Sequence, residues 1–143
     1  MGTARVLLVW GRVRILVVAP EPTELETICR GLFVFGHHAM PAATPDDAAR
    51  LLAGCGDRWF DLLLVDVRTP DHRGTALFEV VHAMAPSLPT LITTGLANPA
   101  DVAALRTVAT AVLVKPFTPD ELDAAVRTVT ARQDAATTEG AGK

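Results

Sequence analysis

Apolar residues along the chain fall into two alternating rhythms. Short unbroken runs suit strands buried on both faces: Arg14 to Ala19 (RILVVA), Leu62 to Val65 inside FDLLLVD, the centre of LPTLITTG, and Ala111 to Val114 (AVLV). His37 to Ala42 is a weaker run of the same kind. Between the runs the spacing is helical, as in Leu25, Ile28, Leu32 and Phe35. Three helix starts share one grammar: Thr44-Pro45-Asp46-Asp47, Asn98-Pro99-Ala100-Asp101 and Thr118-Pro119-Asp120-Glu121. Each sets a side-chain acceptor at the N-cap, proline at the first helical position and an acid in the first turn. The spacing predicts strands near 14–19, 37–42, 61–66, 89–94 and 110–114, and helices near 23–35, 45–54, 75–85, 99–108 and 119–132.

Strand and helix thus alternate through five repeats with short connections. That order predicts an α/β domain, a flavodoxin-like, doubly wound (βα)5 fold with a five-stranded parallel sheet ordered 2-1-3-4-5. Ligand sites in such sheets lie at the carboxyl ends of the strands, at the switch point between the first and third. The expected pocket is lined by Ala19 to Glu21 and by Asp66. The expected domain is 13–132, with an extension over 1–12 and a disordered tail over 133–143. The extension carries its own apolar run, Val6 to Trp10, cut off by Gly11 and Arg12. It fits an added edge strand, an apolar arm or a dimer contact.

Composition narrows the class. A chain of 143 residues, half of them hydrophobic and 20% charged, supports one globular domain with a real core. A net charge of -3 gives no electrostatic case for nucleic acid or an acidic membrane as partner. The apolar runs are much shorter than a membrane span. The two cysteines, Cys29 and Cys55, lack metal-ligand spacing and are expected as reduced thiols, in keeping with a cytoplasmic location. The four histidines, His37, His38, His72 and His82, form no catalytic or metal pattern and are expected at the surface. GxGxxG is absent, Pro20-Glu21-Pro22 offers few donors to a phosphate, and no Ser/His/Asp set emerges, so no enzyme is expected.

Three polar residues close successive strands: Asp66 the third, Thr94 the fourth and Lys115 the fifth. Singly, each has a plain structural role, as a capping carboxylate, a hydroxyl on backbone and a solvated ammonium. Together they set a carboxylate, a hydroxyl and a cation at one sheet edge. Lys115 stands out because the only other lysine is the terminal Lys143, all remaining basic residues being arginine.

These residues carry a resemblance. LLLVDVRTPDHRG resembles the phosphoacceptor segment of bacterial response-regulator receiver domains, TLITTG their hydroxyl-bearing fourth strand, and LVKPFTPDEL their Lys-Pro-Phe turn and last helix. The resemblance spans roughly 13–132. It implies that Asp66 accepts a phosphoryl group from a histidine kinase, that Thr94 hydrogen-bonds a phosphoryl oxygen, and that Lys115 pairs with Asp66. It also implies a cis Pro116 and matches Gly74 to the family glycine.

The sequence departs from the family at the positions that matter most. Receivers end their first strand with two acids that hold Mg²⁺ beside the phosphoacceptor. Here those places are Ala19 and Pro20. The metal donors left by the resemblance are Asp66, the backbone carbonyl of Arg68 and, one residue late, Glu21. Glu21 fits better a solvent-facing acid in the first turn of a helix. Arg68 also suits a fixed cation in place of the bound one. The aromatic residue that receivers carry three positions before the lysine is Val112, which has no ring to swing, and Thr69 replaces the usual methionine. Gly95 leaves space beside the pocket.

The expectation is an atypical receiver with impaired Mg²⁺-dependent phosphorylation. It serves as a protein-interaction module for a histidine kinase or other signalling protein, or as a homodimer, through its fourth and fifth helices and last strand. The competing expectation keeps Asp66 phosphorylatable, with Glu21 replacing the missing metal ligands.

Overall fold

A computed structural model describes residues 13–56, 58–68, 72–96 and 98–141. The extension expected over 1–12 and the substitution at Thr69 lie outside the described residues. Among the described residues five strands, β1 (Arg14–Val18), β2 (His38–Ala42), β3 (Leu62–Val67), β4 (Thr90–Thr94) and β5 (Ala111–Val114), alternate with five helices. These are α1 (Pro22–Val34), α2 (Pro45–Cys55), α3 (His72–Met84), α4 (Pro99–Arg106) and α5 (Pro119–Ala141). All pairings are parallel and the order is β2-β1-β3-β4-β5, as the alternation predicts.

The helix starts form as their residues dictate. Thr44 Oγ1 accepts from the Asp47 N–H at 3.1 Å, and Asn98 Oδ1 accepts from the Ala100 N–H at 2.9 Å. Thr118 and Glu121 cap each other: the Glu121 N–H donates to Thr118 Oγ1, and the Thr118 N–H donates to Glu121 Oε1, both at 3.1 Å. The backbone of α5 runs past residue 132 to Ala141. Its sequence there is rich in alanine, the best helix former, and holds no proline.

Alternation along the strands splits the core into two layers. Ile15, Val17, Leu62, Leu64 and Leu91 face α1 and α5, where Ile28, Leu32, Leu122, Val126 and Val129 cover them. Leu16, Val18, Leu63, Val65 and Ile92 face α2, α3 and α4, against Leu52, Phe78, Val81 and Leu105. The central strands are buried on both sides, so their continuous apolar runs belong to a sheet covered on both faces. Both cysteines are free and half-buried, and burial pushes the Cys29 thiol above its ordinary value.

One expectation fails on the α1/α5 side. His37 is buried, not at the surface. Its Nδ1 accepts the Val13 N–H at 3.3 Å, and its Nε2 lies 2.6 Å from Asp123 Oδ1 on α5. His38 is exposed and meets the Trp59 ring edge-on, while His82 is half-buried and stacks on Phe78. Among the described residues no helix is long and apolar enough to cross a membrane.

Candidate functional site

The carboxyl ends of β3, β4 and β5 lie side by side, and sheet register decides which of their side chains meet. Asp66, the penultimate residue of β3, stands opposite Thr93, while Val67 stands opposite Thr94. Residues in register share a face, so Asp66 and Thr93 both point to the α1/α5 side and Thr94 lies with Ile92 on the other. The Thr93 hydroxyl donates to Asp66 Oδ1 at 2.7 Å, and both residues are buried.

Thr94 is also buried but bonds locally. Its Oγ1 accepts from the Leu96 N–H at 3.1 Å, and its carbonyl accepts from the Lys115 N–H at 2.7 Å. Thr94 therefore ties the end of β4 to the start of the turn that carries the lysine. That turn holds a cis peptide bond between Lys115 and Pro116.

Lys115 closes the site. Its Nζ lies 2.8 Å from Asp66 Oδ1 and 3.0 Å from Glu24 Oε2. Burial by itself pulls the ammonium pKa down. Hydrogen bonds that the ammonium donates to Asp66 and Glu24, with the charge of both carboxylates, outweigh that pull and hold it above the ordinary lysine value. Gly95 borders the lysine stem: a Cβ there would meet Lys115 Cδ at 4.0 Å, an ordinary contact.

Glu24 and Thr93 are the site residues that sequence reasoning missed. Thr93 was legible in principle, because period-two alternation combined with the β3–β4 register selects it and passes over its neighbour. Glu24 announces itself only as an acid in the first turn of α1. Nothing in the linear chain says that this turn reaches the ammonium.

Glu21 has a different partner. It is the N-cap of α1, and its Oε2 accepts from the Glu24 N–H at 2.8 Å. Backbone hydrogen bonds from Glu24, then from Thr23, hold its carboxyl below the usual value, with the Arg68 charge adding to the effect. Arg68 is exposed at the end of β3. Ala19 is buried and Pro20 exposed, and neither carries a side-chain oxygen. Asp66 Oδ2 is buried with no hydrogen-bond partner among the described residues. No group of three or more histidine, cysteine, aspartate or glutamate side chains suited to a metal ion occurs among them. Val112, at the aromatic position, is half-buried on the edge strand β5 opposite Ile92.

Comparisons with known proteins agree with this geometry. Residues 15–127 match the family described as response regulator receiver domain. The transcriptional regulatory protein ZraR of Salmonella typhimurium is 33% identical over 119 residues, 80% of this chain and 26% of that protein. The chain thus spans about a quarter of the length of the curated relatives it matches. Among solved structures, a CheY-like receiver domain from Methanospirillum hungatei superposes with TM-score 0.68 at 28% identity, over 88% of this chain and 99% of that one. NtrX from Brucella abortus gives TM-score 0.75 at 26% identity, over 92% of this chain and 30% of that one.

Proposed function

Because the chain belongs to the response regulator receiver family and so works in two-component signalling, we propose that it is a degenerate receiver. It receives and passes information by being bound, with Mg²⁺-dependent phosphorylation of Asp66 impaired and no substrate turned over. The observation that carries this reading is the donor set around Asp66. Mg²⁺ demands near-octahedral oxygen ligands, and charged ones supply most of the affinity. Ala19 and Pro20 bring none, Glu21 is spent on the α1 N-terminus, and Glu24 is held by Lys115. Asp66 Oδ2 is left as a buried carboxylate oxygen without a hydrogen-bond partner among the described residues. These residues do not fit the ion, and phosphoryl transfer depends on cationic neutralisation of the equatorial oxygens.

The surface that serves the interaction is α4, β5 and α5. Two features support it. All four residues of β5 are only half-buried, and Val108, just after α4, is exposed. A histidine kinase, another signalling protein or a second copy of the chain is the partner class.

The competing reading keeps the phosphorylation cycle, and Asp66 Oδ2 is what favours it, since a buried carboxylate oxygen with no partner among the described residues is open to accept a phosphoryl group. Incubation with phosphoramidate and Mg²⁺, followed by intact-mass measurement, separates the two. The degenerate receiver gains no phosphoryl mass over hours. Ready modification at Asp66 overturns it, and loss of that modification in Glu21→Ala would assign Glu21 the metal.

A further inference from the structure

The ammonium of Lys115 lies between two carboxylates that come from different layers of the fold. Asp66 reaches it from the sheet and Glu24 from the first turn of α1, at 2.8 and 3.0 Å. An ammonium has three protons to donate. The two carboxylates take two of them, and Asp66, Glu24 and Lys115 together carry one net negative charge. Any anion approaching Asp66 Oδ2 meets that excess charge and a cation already engaged. Arg68, a further cation at the end of β3, is exposed.

We propose that Glu24 is a built-in competitor for anions, a side chain that occupies the Lys115 ammonium and so decides whether the pocket admits a phosphate-like group. The proposal rests on the degenerate-receiver reading, which it deepens: the pocket lacks acids that would hold a metal, and it also carries one acid that closes its cation. Glu24 acts through Lys115 and is a positioning residue. Its side chain is partly open to solvent, 37% exposed, so it can leave the lysine without opening the core.

The chain itself supplies the probe. It has two lysines, Lys115 and Lys143, so ¹⁵N-lysine labelling yields side-chain signals from only those two. Wild type, Glu24→Gln and Glu26→Gln are titrated with inorganic phosphate at constant ionic strength. Glu26 is an exposed acid on the same helix, paired with Arg30, so its variant controls for net charge. In Glu24→Gln the Lys115 signal is expected to respond to phosphate at a concentration lower by on the order of ten-fold, the worth of one charge-assisted hydrogen bond. Glu26→Gln should respond as wild type. The Lys115 titration midpoint should also fall in Glu24→Gln alone, the sign expected when one of its two carboxylate partners is removed, while the phosphate response separates competition for anions from a purely structural role. An unchanged phosphate response in Glu24→Gln, or an equal gain in Glu26→Gln, overturns the proposal. Its failure is separable from that of the receiver reading, because phosphorylation of wild-type Asp66 is scored independently by mass.

Discussion

The Nε2–H of His37 donates to Oδ1 of Asp123 across 2.6 Å, tying the start of β2 to α5. The proton position follows from the other ring nitrogen, because Nδ1 accepts the Val13 N–H and so cannot carry one. Arg127 holds the same carboxylate from the solvent side at 3.0 Å. Asp123→Ala would strand a buried N–H, at a cost of about 1–3 kcal/mol. Urea unfolding reads the loss, and ¹⁵N spectra of the imidazole should show the Nε2-protonated tautomer in wild type. A Nδ1-protonated ring would contradict the arrangement.

The Asp66–Lys115 pair makes a second prediction. Asp66 is fully buried on its side chain, so Lys115→Met leaves its charge uncompensated, and destabilisation of roughly 3–5 kcal/mol is expected. Asp66→Asn in the same background should recover most of it, since a neutral pair has no buried charge to balance. The pH dependence has a definite sign. The lysine pKa is raised on folding, so its contribution is complete below the unfolded value near 10.5 and disappears as pH rises through the higher folded value. Wild type and Lys115→Met should therefore converge in stability only above that range.

How far the chain was legible follows from which physics set each feature. Strand runs, helix starts and the five-fold alternation are local, and with the rule of right-handed crossovers they narrowed the sheet to a few orders, of which the flavodoxin-like one is observed. Asp66 and Lys115 were legible because each ends an apolar run, and a charge at such a place must be near the sheet edge. The choice between Thr93 and Thr94 was not local. It depends on a one-residue register between β3 and β4, and a slip of one residue exchanges faces. Glu24 and the His37–Asp123 bond join residues far apart in the chain through the packing of α1 and α5 on the sheet. Single-residue patterns carry no trace of such contacts. His37, expected at the surface, is one end of a buried bond.

Glu21 predicts a pH effect of opposite sign to that of Lys115. Its carboxyl is held below the ordinary value of 4.5 by the N–H groups of the helix it caps. Its stabilisation is therefore complete above that value and lost as pH falls through the lower folded value. Glu21→Ala should lower the thermal midpoint at neutral pH, and the gap from wild type should close in strong acid. A gap that persists unchanged at pH 2 would mean that the side chain acts through something other than its charge on the cap.

The last prediction restores what β1 lacks. Ala19 is buried with its N–H donating to the Ala42 carbonyl at 3.1 Å, a bond that any residue but proline can make. Pro20 is exposed, so an acid there carries little desolvation cost, whereas the acid at buried Ala19 carries more and lowers stability until a cation pairs with it. The double variant Ala19→Asp, Pro20→Asp should therefore keep the fold while placing two carboxylates across from Asp66 Oδ2, the oxygen without a partner among the described residues. Three acids in one pocket repel each other, so the variant should be less stable in EDTA than wild type and should regain stability when Mg²⁺ is added. Phosphorylation of Asp66 by phosphoramidate with Mg²⁺ should rise by at least roughly ten-fold, because charge on the transferring group is then neutralised. Thermal melts with and without Mg²⁺ read the binding, and intact mass reads the chemistry. A folded variant that gains no stability from Mg²⁺ would place the defect elsewhere than in the missing acids, and the lysine held by Glu24 would then be the remaining block.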